Sequence, residues 1–229
     1  MTDTISYWTG ENDEQDRPPV GVLIQLGGGL DEESESLDRR ELLTELSTLA
    51  DGAPVRAADI DPYVGAGGYG LAFLWDVVSK GADVITWVIA AQAAAPQIRR
   101  IADAAGKRFA AFGHGAPVCF TPSAIEALYL ADLATREPDE VDAIQSIRVE
   151  RVGPSPAEPR EELLHLYSAY AITVTSSSGG LFGVRLALVN SQATLIGETV
   201  TTVPMPNGSH WGDRPVGGRP LYSGPWQTR

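Results

Sequence analysis

Residues 67–95, GGYGLAFLWDVVSKGADVITWVIAAQAAA, are the most concentrated apolar material in a chain of 229 residues, and their reading decides the fold. They carry two of the five tryptophans, Trp75 and Trp87. After the glycines, Leu71, Leu74 or Trp75, and Val78 recur on one helical face. Lys80-Gly81 reads as a stop, and residues 82–95 begin a second helix or continue the first through a kink. Val84-Ile85 and Trp87-Val88-Ile89 also suit a strand, because β-branched residues cluster around a tryptophan there. The alanines that follow, with Pro96 as a first-turn proline, favour a helical route into Gln97–Ala105. In that segment Ile98, Ile101, Ala102 and Ala105 share a face, and Gly106 ends it. An apolar helical pair is the expectation. A membrane span is not, because Lys80, Gly81 and Asp83 divide the run and leave it short of the ~20 residues a bilayer requires.

Working back toward the amino terminus, residues 1–19 hold five acids and one arginine and read as a polar tail. They show neither a basic n-region nor an apolar h-region, so a secretory signal is not expected and a cytoplasmic location is. VGVLIQL (20–26) is a buried-strand pattern closed by Gly27-Gly28-Gly29. Leucines at helical spacing between Ser36 and Ala50, with acids crowding the beginning, predict a helix. Ala53–Ala58 suits a short strand. Beyond the 67–95 stretch, Phe109–Phe112 suits another strand. At Thr121-Pro122-Ser123 a helix starts, either with Thr121 as cap and Pro122 in the first turn, or with Ser123 and Glu126 as a capping box. Ile125, Leu128, Tyr129 and Leu133 line its apolar side.

Past the charged run 136–140 the texture changes. Residues 147–151 alternate as on a half-exposed strand, and 159–166 suit a short helix. Residues 170–175, 181–190 and 194–203 are β-rich runs separated by turn residues, the pattern of an antiparallel meander. The last residues, rich in Gly and Pro, are expected to be irregular. The organisation is thus a polar tail (1–19), a helix-rich αβ region (20–135), a β-rich region continuous with it (141–203) and an irregular tail (204–229). The fold class is α+β or α/β: an N-terminal strand–helix unit with an apolar helical pair, followed by an antiparallel β-rich half.

Composition narrows the function classes. With 17 Lys+Arg against 30 Asp+Glu the formal charge is −13. Such a chain repels a phosphate backbone, so nucleic-acid binding is not expected. A single cysteine excludes an internal disulfide framework and a cysteine-rich zinc site.

No motif supplies strong chemistry. LGGGLDEES sits between strand and helix, yet lacks GxGxxG and GK[ST], and its acids oppose an anion. GAGGYG (65–70) has no basic residue until Lys80. Asp59 and Asp61 read as a solvated turn, with Asp76 and Asp83 the nearest further carboxylates. His165 and His210 read as packing or tail-pinning residues, and Ser176–Gly180 as a hairpin loop rather than a nucleophile elbow. The most suggestive pair is His114 and Cys119 in GHGAPVC, at the carboxyl end of an expected strand. There an imidazole within hydrogen-bond reach would activate the thiol, with Glu126 or Asp132 orienting it. The competing reading is a buried cysteine beside a turn histidine. No cofactor and no metal are expected.

VGVLIQL, LDRRELLTELSTLA, the glycines at 65–70 and LAFLWDVVSKGADVITWVIAAQ give residues 36–105, with the strand before them, a resemblance. The segment resembles the small effector-associated domains of bacterial conflict systems, where a β-α-β unit precedes a glycine break and an apolar helical segment. The resemblance implies a protein-interaction role without catalytic residues, in a bacterial setting.

The leading expectation is a non-catalytic protein-interaction or scaffold module that binds a protein partner or itself through apolar surface around Trp75 and Trp87. The alternatives are a small hydrolase or acyl-transfer enzyme using Cys119 and His114, and a structural subunit of a homo-oligomeric assembly.

Overall fold

Three strands open the fold: β1 (Val20–Leu26), β2 (Arg56–Ile60) and β3 (Tyr69–Trp75). The computed structural model describes residues 20–26, 41, 44–45, 47–49, 56–60, 69–75, 83–110, 118–152, 169–204, 210–214 and 219–222. The expected helix over Leu71–Val78 is replaced, through Trp75, by β3. Over so short an apolar run, periodicity alone does not separate a strand from a helix, and edge pairing decides it. β3 has both neighbours, β2 on one edge and β1 on the other, each antiparallel. The helical segment that carries the family resemblance is therefore a strand followed by one helix. The residues described between 41 and 49 are helical, within the helix expected over 36–50.

That one helix is α1 (Val84–Ala110). Asp83 fixes its start, accepting from the Thr86 backbone N–H at 2.9 Å and the Thr86 hydroxyl at 3.1 Å. The Thr86 N–H also holds the Asp83 carboxyl below its ordinary value. Pro96 lies inside α1 rather than at a first turn, on an exposed side where water can reach the carbonyl it leaves unpaired. Gly106 does not end the helix, and Phe109 and Ala110 belong to it rather than to a strand. The cost of one helical glycine, about 1 kcal/mol, is offset by packing, since Ile98, Ile101, Ala102 and Ala105 are all buried on the expected face.

A short strand, β4 (Val118–Phe120), pairs with β1 and completes a four-stranded antiparallel sheet in the order β2-β3-β1-β4. It runs directly into α2 (Pro122–Arg136). Thr121 is the cap and Pro122 opens the helix, the first of the two expected starts. Ile125, Leu128, Tyr129 and Leu133 are buried as their spacing predicts. Glu137 then separates α2 from a one-turn helix, α3 (Pro138–Asp142).

The meander is present and larger than expected. β5 (Ile144–Val152), β6 (Ala169–Ser178), β7 (Leu181–Asn190) and β8 (Thr194–Pro204) form successive antiparallel neighbours. Ser176–Ser178 are strand, and Gly179-Gly180 alone make the hairpin loop, with φ of 57° and 79° as a two-residue turn of this hand demands. The carboxyl-terminal region is not wholly irregular. β9 (His210–Arg214) and β10 (Arg219–Pro220) both pair with β8, because its outer edge offers unsatisfied backbone groups. The expected helix at 159–166 lies outside the described residues.

Helices and two antiparallel sheets make this an α+β fold. One hydrophobic core draws Val20 and Val22 from the first sheet, Trp87 and Ile98 from α1, Leu128 from α2, and Ile147, Ile172 and Val189 from the second. A backbone bond joins the two sheets: Phe120 N–H of β4 donates to the Ser191 carbonyl in the β7–β8 turn at 2.8 Å. Leu221 N–H, just after β10, donates to the Ala193 carbonyl of the same turn at 2.8 Å.

Candidate functional site

Cys119 is the middle residue of β4 and is completely buried. Burial pushes its thiol up to about 11, and a hydrogen bond with Ser191 only partly opposes this. His114 lies outside the described residues. The two carboxylates expected to orient it are engaged elsewhere. Glu126, buried in the second turn of α2, accepts the indole N–H of Trp87. Asp132 accepts from Arg136 Nε at 2.9 Å and Arg219 Nη2 at 2.6 Å.

Trp87 faces inward, 3% exposed, so its indole joins α1 to α2 instead of meeting a partner. Trp75 ends β3 opposite Val20, and its side chain is outside what the structure describes. Asp83 is a helix cap, and the side chains of Asp59, Asp61 and Asp76 are likewise outside the description. Among the described residues no group of three or more His, Cys, Asp or Glu is placed to hold a metal ion.

The densest electrostatic arrangement among the described residues was not expected from the sequence. Arg185 of β7 and Glu198 of β8 each have side chains only 1% exposed, with Arg185 Nη1 3.1 Å from Glu198 Oε1. Strand alternation carries both side chains to the inner face of the sheet. Arg185 donates through Nε to Glu140 Oε1 at 3.0 Å and through Nη2 to Glu137 Oε2 at 2.5 Å. A further bond joins Nη2 to Glu140 Oε2. Glu198 accepts from Tyr129 OH at 2.7 Å and from Arg136 Nη1 and Nη2 at 3.2 and 3.1 Å.

Through Asp132 the cluster extends to Arg219 of β10. Three guanidiniums thus meet four carboxylates contributed by α2, α3, the segment between them and β8. Burial opposes ionisation of Glu198, but hydrogen bonds from Arg136 and Tyr129 and the charge of Arg185 outweigh it and hold the carboxyl below its ordinary value. Glu140 is lowered on the same balance, with Arg185 as donor. Tyr129 is raised, first by burial and then by the Glu198 charge, so it stays a neutral donor.

Every carboxylate in this cluster already receives a charged donor, so its chemistry is that of a clamp. The run 136–140, read from sequence as a charged boundary, covers the buried Arg185. One signal was present: in LFGVRLALVN, alternation puts Arg185 on the same face as Ala187 and Val189, where a charge demands partners.

Apolar surface lies elsewhere. Ile85 and Ile89, one turn apart on α1, are 68% and 64% exposed. Ala93 and Pro96 continue that exposed stripe. The outer face of the second sheet carries Leu186, Leu188 and Ile196, also exposed. Ile196 stands where the β7–β8 register shifts. No described helix is long and apolar enough to cross a membrane.

Compared with protein-family models, curated proteins and solved structures, the chain matches none, and the site stands on its own geometry.

Proposed function

We propose that this chain is a protein-interaction module that docks a protein partner on the outward face of the first half of α1. The observation that carries this reading is the exposure of Ile85 and Ile89 on a helix whose first fifteen residues, 84–98, contain no charge. An outward helix face is ordinarily polar, and one that is apolar is ordinarily covered. Covering each isoleucine would contribute about 1.5–3 kcal/mol.

The stripe passes from Ile85, Ile89, Ala93 and Pro96 to exposed Arg100 and Lys107. The fitting partner is therefore a protein with an apolar groove that becomes acidic at one end. The arrangement of Cys119 supports a binding role over thiol catalysis, since its buried, protonated sulfur is neither accessible nor nucleophilic at neutral pH.

The test places a photo-crosslinking residue at position 89, and at position 135 as an exposed control outside that face, in the source cells. A protein joined at 89 and not at 135 is then purified and titrated against the unmodified chain by calorimetry. Binding that Ile89→Asp weakens by about 100-fold or more is expected, as burial of a new charge in an apolar contact requires. A purified pair that does not bind, or that Ile89→Asp leaves unchanged, overturns the proposal, as does the absence of any product at 89.

A further inference from the structure

The two edges of the six-stranded sheet are treated differently. β8 is covered by β9 and β10, whereas β5 pairs with β6 alone among the described residues. An uncovered edge strand presents a row of backbone donors and acceptors that another strand can match. The side chains of β5 show which strand fits. Ile147 and Val149 point into the core, while Arg148 and Glu150 point outward, 66% and 50% exposed, and pair with each other at 2.6 Å.

We propose that the chain forms a twofold dimer in which β5 pairs antiparallel with β5 of a second copy, joining two six-stranded sheets edge to edge. Charge selects both the occupant and the register. Because side chains alternate, only registers that keep Arg148 and Glu150 on the outer face preserve the two cores. Among these, the register centred on Arg148 opposes two arginines, and that centred on Glu150 opposes two glutamates. The register centred on Val149 sets each Arg148 opposite the second copy's Glu150, so that both cross-strand contacts are attractive.

The same register pairs residues 146–152 of one copy with 152–146 of the other. Exposed Val152 falls opposite the second copy's Ser146, and Ile144–Gln145 stay outside the new ladder. Those two residues sit where β5 is already irregular against β6. The self-complementary Arg148–Glu150 pair favours a second copy over an unrelated strand. The inference is independent of the α1 face.

Sedimentation of the full-length chain across the micromolar to millimolar range tests it, together with hydrogen exchange of the 146–152 amides. A dimer is expected whose formation slows exchange in that segment. Arg148→Glu alone, or Glu150→Arg alone, creates two like-charge contacts per dimer and should raise the dissociation constant roughly tenfold or more. The double swap, Arg148→Glu with Glu150→Arg, should restore association, and this recovery separates lost pairing from lost folding. Ile89→Asp should leave the dimer intact. A chain that stays monomeric throughout, a dimer indifferent to Arg148→Glu, or a double swap that does not recover overturns the proposal.

Discussion

Thr121 and Gly21, one hundred residues apart, exchange two hydrogen bonds: the Gly21 N–H donates to Thr121 Oγ1 at 3.0 Å, and the Thr121 N–H donates to the Gly21 carbonyl at 3.1 Å. The β1–β4 register continues to this pair, where a regular ladder would use the Thr121 carbonyl as the second acceptor. Here the hydroxyl takes that place. The carbonyl is freed to accept from Ile125 N–H at 2.9 Å, the first bond of α2. The same hydroxyl also accepts from Ala124 N–H at 3.1 Å. One side-chain oxygen therefore ends the strand and starts the helix without leaving a buried donor unpaired.

Replacing Thr121 with valine keeps the shape but removes the acceptor for both N–H groups. Loss of the cap together with an unpaired buried donor should lower stability by about 2–4 kcal/mol. Thr121→Ser retains both bonds and should cost under about 1 kcal/mol. Urea denaturation of the two variants gives the comparison, and equal losses would show that the hydroxyl is not the determinant.

Arg185→Ala leaves Glu140 and Glu137 without their buried guanidinium and should destabilise the fold by about 3–5 kcal/mol. Arg185→Met with Glu140→Gln removes the charge on both sides of that one pair, leaving Glu137 and Glu198 ionised, and should recover part of that loss. Chemical denaturation of the single and double variants reads the difference. A single variant near wild-type stability would mean that the carboxylates find water instead.

The cluster also predicts the direction of the acid response. Glu198 and Glu140 both titrate below the ordinary value of 4.5 in the folded chain. Their stabilisation is complete above that value and is lost as pH falls through it toward the depressed folded values. The urea midpoint should therefore decline as the pH is lowered from about 6 to about 3. Glu198→Gln should make the decline shallower. An unchanged slope in that variant would assign the acid sensitivity to other carboxylates.

Cys119 should resist alkylation in the native chain. A thiol at about 11 rather than 9.0 holds about 100-fold less thiolate near neutral pH, and burial in β4 removes access as well. Iodoacetamide labelling followed by mass spectrometry should be slow in buffer and rapid in denaturant. Fast native labelling would show that β4 opens from β1 and the Ser191 contact.

Several elements could be read from local pattern because their neighbours agree with it. Ile98, Ile101, Ala102 and Ala105 lie on the buried side of α1, and Thr121-Pro122 opens α2 where its capping chemistry indicates. The runs at 170–175, 181–190 and 194–203 become β6, β7 and β8 because alternation and turn residues state the same answer twice. The 67–95 stretch separates the two levels. Leu71, Leu74 and Trp75 fit a helical face, yet β3 is a strand because β1 and β2 supply partners on both edges, and only the assembled sheet contains that information.

The apolar surface follows the same division. The sequence by itself determined that Trp87 and Ile89 lie in one uncharged apolar run, open between helix and strand. Tertiary packing decided that Trp87 turns inward to Glu126 while Ile85 and Ile89 face out. The Arg185–Glu198 clamp is likewise a product of long-range register. β7 and β8 bring Arg185 and Glu198 to one buried face, and α2 and α3 return over it with Arg136, Glu137 and Glu140. Local pattern shows which way each side chain points along its own element, but the energy of a buried charge depends on what arrives from the others.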